Sequence, residues 1–191
     1  MFKAILTFAT VQFLTALAFG SAPAKGIDVA YFDKLRFDFA ARKDFSPGWD
    51  VDDARKAVLD AFKAGDYSKE KELGDAWLKK VPVDAEVYLV IALGRKEQGD
   101  LAGYSIYMAQ FYGLLSSITS SGDGRSAETA YKVISVSEEY FLLRDIGAKL
   151  KQQSLVGSCD VMVVDQRGKE KVYYFDVRIP LEAERRELGM K

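Results

Sequence analysis

Between Ser120 and Tyr140 the spacing of apolar residues changes from three-to-four to two. A chain that changes period in this way has few means of burying its apolar faces. Helices from one side of the change must pack against strands from the other. The pattern therefore predicts an α+β fold, helical in its first half and strand-rich in its second. With 191 residues, the chain can bury one sizeable core.

From Val51 to Ile118 the pattern is helical, punctuated by Gly65-Asp66 and Gly99-Asp100, 34 residues apart. That is the period of a tetratricopeptide repeat, and Pro82 falls at the usual repeat-ending position. The spacing predicts two helical hairpins, 52–64 with 68–80 and 84–98 with 101–118. Glu70 departs from the pattern, because a small residue is expected there. A first helix is predicted over 27–42, broken by Ser46-Pro47-Gly48. After the change, 131–136 reads as a strand, and Ser137 as the cap of a short helix over 138–146, stopped by Gly147. Strands follow over 149–156, 160–165 and 171–179, with Gln166-Arg167-Gly168-Lys169 as a hairpin turn. Tyr173, Phe175, Val177 and Ile179 share one apolar face. The expected architecture is tetratricopeptide-like helical hairpins packed on a small antiparallel sheet with one short helix.

The amino terminus has the three-part plan of a signal peptide: Lys3, an uncharged run from Ala4 to Phe19, then small residues through Ala24. Residues 1–24 are the expected leader and 25–191 a single domain. Within it, 27–118 is the helical part, 119–180 the α+β part and 181–191 a charged helix or tail. No cysteine follows the apolar run, so a lipoprotein is not expected. The expected location is periplasmic or secreted, with no stable membrane span once the leader is removed.

Composition narrows the chemistry. The chain has no histidine, which removes Ser-His-Asp and Cys-His catalysis and most zinc sites. Its one cysteine, Cys159, cannot form an intramolecular disulfide, and its alternation with Val161 and Val163 predicts a buried strand position. A net charge of −1 without a basic block argues against a nucleic-acid partner. No cofactor, metal centre or catalytic residue is assigned.

The densest polar cluster is the 120–140 stretch itself. Gly122 and Gly124 flank Asp123, so backbone N–H groups can turn inward around an anion, with Arg125 and Ser126 beside them. Asp123 is expected to hold the turn by accepting from its backbone, and Arg125 to reach a ligand anion or one of Glu138 and Glu139. These seven residues are the candidate binding site. A plain solvated turn uses the same residue types. The first functional expectation is a cell-envelope binding module for a protein, peptide or glycan. The alternative is a carboxylate-based hydrolase at the junction of the helical and sheet layers, pairing Asp123 with Glu128, Glu138 or Glu139. A structural protein without a ligand pocket is the third.

The strings SSGDGRSAETAYKVISVSEEY, LLRDIG, QQSLVGSCD and VYYFDV, in that order, resemble an uncharacterised bacterial family catalogued as domain of unknown function four-nine-one-nine. The resemblance covers most of the chain after the leader. It implies one domain with a shared SGDG turn, and no reaction.

Overall fold

A computed structural model describes residues 26–190; the expected leader, residues 1–24, lies outside the described residues. Five helices come first: α1 Val29–Ala40, α2 Asp53–Lys63, α3 Tyr67–Lys80, α4 Ala85–Glu97 and α5 Leu101–Ser120, with a 3₁₀ turn Trp49–Val51 before α2. All five open on an aspartate: Asp28, Asp52, Asp66, Asp84 and Asp100 each accept a backbone N–H of the first turn. The Gly-Asp pairs thus have a direct physical meaning. Gly65 (φ 73°) and Gly99 (φ 77°) take the left-handed conformation that stops one helix, and the next residue caps the following one. Two helical hairpins result, α2 with α3 and α4 with α5. At Gly74 an added Cβ would lie 2.5 Å from Ile91 Cδ1, so the glycine lets α3 approach α4 closely.

The second half contains β1 Tyr131–Lys132, α6 Val136–Asp145, β2 Ala148–Val156, β3 Cys159–Gln166, β4 Lys169–Asp176 and α7 Arg178–Glu187. The sheet order is β1-β4-β3-β2. Strands β2, β3 and β4 form the expected antiparallel meander. The sheet as a whole is mixed rather than antiparallel, because β1 lies parallel to β4, with Tyr131 opposite Phe175. β1 is also much shorter than the predicted 131–136 strand. Val133 and Ile134 turn into the core, and Ser135, not Ser137, caps α6 by accepting from Glu138 N–H. The last strand stops at Asp176. Pro180 sits in the first turn of α7, where a missing N–H leaves no bond unmade, so Ile179 is helical.

One apolar cluster runs through both halves. Phe175, Met162 and Val164 fill the inner sheet face, and Phe111 of α5 meets Phe141 of α6 edge-on at 5.4 Å. No helix among the described residues is long and apolar enough to cross a membrane.

Candidate functional site

The SGDG turn joins the end of α5 to the edge of β4. Its polar groups satisfy one another. Asp123 and Gly124 N–H both donate to Thr129 O (3.0 and 2.8 Å), and Tyr174 N–H of β4 donates to Gly124 O (2.9 Å). The Asp123 carboxylate accepts from Thr129 Oγ1 (2.6 Å) and Arg125 N–H (3.0 Å). The Thr129 hydroxyl and the Arg125 amide hold its pKa below the ordinary value. Ser126 Oγ lies 3.3 Å from Thr129 Oγ1. Both glycines are sterically required. A Cβ on Gly122 would lie 2.3 Å from Thr129 O, and one on Gly124 (φ 65°) would lie 2.3 Å from the Tyr131 ring. Asp123 therefore shapes the turn. The exposed Arg125 reaches back to Asp123 at 3.7 Å and not to Glu138 or Glu139.

Glu138 belongs to a different guanidinium. Arg36 of α1 is fully buried and donates from Nε (2.9 Å) and Nη2 (2.6 Å) to the two Glu138 carboxylate oxygens. It also donates to Ser117 Oγ of α5 (2.8 Å) and Lys132 O of β1 (2.9 Å), and Ile134 N–H completes Glu138 (2.9 Å). Lys132 N–H in turn donates to Ser121 Oγ (2.8 Å), so β1 links the end of α5 to this pair. A bidentate pair of this kind fixes orientation as well as distance.

Glu139 points the other way. It is fully buried, and neither carboxylate oxygen accepts a hydrogen bond from a donor group. Burial first, then the neighbouring Asp160 of β3, raise its pKa well above the ordinary value, with Glu138 and Glu184 adding to the effect. The seven candidates thus fall in three places: Gly122 to Ser126 in the closed turn, Glu138 on Arg36, and Glu139 against Asp160.

Three further features lie outside the seven candidates, and of these only Glu70 stands out in the sequence. Glu70 of α3 is fully buried without a hydrogen-bond donor, and burial raises its pKa to about 7. Its space is provided by Gly94 of α4, where a Cβ would lie 2.3 Å from Glu70 Oε2. Buried Arg55 of α2 donates to Asp84 (2.7 Å) and Glu86 (2.6 Å), Trp77 Nε1 donates to Asp84 (2.9 Å), and Arg144 of α6 donates to Glu86 (2.7 Å). Burial opposes the Glu86 charge, but Arg144 and Arg55 outweigh it and hold its pKa below the ordinary value. Finally, a surface groove of about 540 Å³ runs between α1 and α7. Its walls include Phe37, Ala40, Ile179 and Met190, with Glu182, Arg185 and Arg186 on the α7 side. Among the described residues both arginines are exposed and form no ion pair.

Cys159 is buried, as its strand alternation predicts, and burial raises its thiol pKa away from thiolate chemistry. Among the described residues no group of three or more Cys, Asp and Glu side chains is placed to hold a metal ion.

The model of a family described as a domain of unknown function, DUF4919, matches residues 30–186, most of the chain. No curated protein and no solved structure matches.

Proposed function

Because the chain belongs to the DUF4919 family, a domain of unknown function, we propose its role from its own surface: an exported cell-envelope module that binds a peptide segment of a partner protein between α1 and α7. The observation that carries this reading is the groove, with apolar walls and, beside Glu182, two arginines that form no ion pair among the described residues. Concave apolar surfaces with a few oriented polar groups are where ligands bind. The charge of Arg185 and Arg186 selects a segment that combines carboxylates with apolar side chains. A glycan fits less well, since Phe37 is the one aromatic ring in the groove wall among the described residues. The 34-residue Gly-Asp spacing supports reading the two hairpins as degenerate tetratricopeptide-like repeats, with Glu70 as the departure.

The test is a titration of the isotope-labelled mature chain with a pool of short peptides pairing Asp or Glu with Leu or Phe, followed by NMR. Amide shifts are expected on α7 and the end of α1, weakening with added salt. Arg185→Ala and Arg186→Ala are each expected to weaken binding about tenfold, the scale of one charge-assisted hydrogen bond. Shifts confined to 122–126, or none, count against the groove. Export is supported by the leader's plan. The chain recovered from the cell envelope is expected to start at Lys25 or close to it, and an intact Met1 on a cytoplasmic product contradicts it.

Asp123 is held in the closed turn and Glu138 on Arg36, so the carboxylate-hydrolase reading keeps only Glu139, with Asp160 beside it in place of Asp123. It stands second because the Glu139 side chain is sealed from solvent, and a substrate bond has no route to it.

A further inference from the structure

We propose that one water molecule is held between the Trp49–Val51 turn, the start of α4 and the start of α6, and that it forms part of the fold. A cavity of about 10 Å³ lies there, lined by Trp49, Arg55, Asp84, Glu86, Ser137 and Glu138 among others. That volume is close to the space a single water centre needs, and no larger ligand fits. Two of the lining residues have unmet polar groups. Trp49 Nε1 and Ser137 Oγ are both buried, and neither has a hydrogen-bond partner among the described residues. An indole N–H can only donate, so Trp49 requires an acceptor.

The other lining groups complete the site. The Asp84 and Glu86 carboxylates accept from Arg55, Trp77 and Arg144, yet each carboxylate has about four lone-pair positions and retains acceptor capacity. A water here accepts from Trp49 Nε1, donates to one of these carboxylates, and shares a third bond with Ser137 Oγ. Three bonds is the usual number for a buried water. The guanidinium of Arg55 disfavours a cation in the same space. The water lies between the Arg55–Asp84–Glu86–Arg144 network and the residue, Glu138, that pairs with Arg36. It therefore helps to dock the start of α6 on the helical hairpins.

The test uses the full mature chain. A water-selective NOE and ROE experiment is expected to show a long-lived water at one of the two Trp indole protons, assigned to Trp49 by its loss in Trp49→Phe. The same cross-peak is expected to weaken in Ser137→Ala, which removes one of the three bonds. Each variant is expected to lower the folding equilibrium constant about tenfold, the scale of one buried hydrogen bond. The double variant is expected to fall little further, because both changes release the same molecule. A wild-type spectrum with no long-lived water at either indole overturns the proposal, even if Trp49→Phe does not fold. Fully multiplicative losses in the double variant overturn the shared bridge.

Discussion

Glu138→Ala is expected to cost about 3–5 kcal/mol of folding stability, the scale for removing one partner of a buried ion pair. The variant removes the one carboxylate that Arg36 pairs with directly among the described residues; this fully buried group otherwise donates to Ser117 Oγ and Lys132 O, and the Asp33 carboxylate is one hydrogen bond further away, accepting from the Ser117 hydroxyl. Arg36→Ala is expected to cost a similar amount, for the converse reason. Domains of this size are stable by about 5–15 kcal/mol, so either change brings the chain near unfolding at physiological temperature. Circular dichroism in urea checks both. The size of the effect follows from topology. Arg36 and Glu138 are 102 residues apart, and together with Ser117 and Lys132 they clamp α1, α5, β1 and α6 at one point.

Glu70→Gln is expected to stabilise the protein by as much as about 3 kcal/mol at pH 8 and to change little at pH 4. Burial raises the Glu70 pKa from 4.5 to about 7, so the folded state binds this proton more tightly than the unfolded chain does. Below pH 4.5 both states are protonated and the group carries no penalty. Between pH 4.5 and 7 the unfolded chain loses the proton first, and stability falls. Above pH 7 the loss is complete. Glutamine keeps the shape without the titration and should flatten this part of the stability curve. Glu139 and Asp145 titrate in the same direction, so some fall with rising pH is expected to survive in Glu70→Gln and to shrink further with Glu139→Gln added. Urea midpoints from pH 4 to pH 8 on the three proteins measure this. A Glu70→Gln curve parallel to wild type would show that Glu70 reaches water in the folded state.

Local punctuation made the helical half legible. A left-handed glycine followed by a capping aspartate is a signal confined to two residues, and the predicted helices 52–64, 68–80, 84–98 and 101–118 lie within two residues of those observed. The meander was legible for the same reason, since alternation and the Gln166–Lys169 turn are local. Pairing across long separations was not. The parallel placement of β1 on β4 depends on contacts across more than forty residues, so a run of β-branched residues over 131–136 suggested a longer strand than forms. Ser135 and Ser137 are equally good caps in sequence, and the burial of Ile134 decides between them. At Glu70 a small residue was expected. Gly94 on the facing helix leaves the room that the larger Glu70 side chain needs.

The candidate site was the least legible part. Acids and a guanidinium close in sequence suggested that Arg125 would serve Glu138 or Glu139. In the structure Arg36 pairs with Glu138, because a buried carboxylate requires a buried cation and α1 brings one. The groove between α1 and α7 joins the two ends of the described chain, and no single stretch of sequence encodes it.

The acids near the turn serve the fold, with Glu138 fastening the sheet half to the helical half through Arg36. A double-mutant cycle on Arg36→Met and Glu138→Leu, read by urea unfolding at pH 7, tests it most directly. Each single variant is expected to lose about 3–5 kcal/mol, while the double variant recovers most of it as an apolar pair, a coupling of about 4 kcal/mol or more. Single effects below about 1 kcal/mol that simply add in the double variant would contradict it.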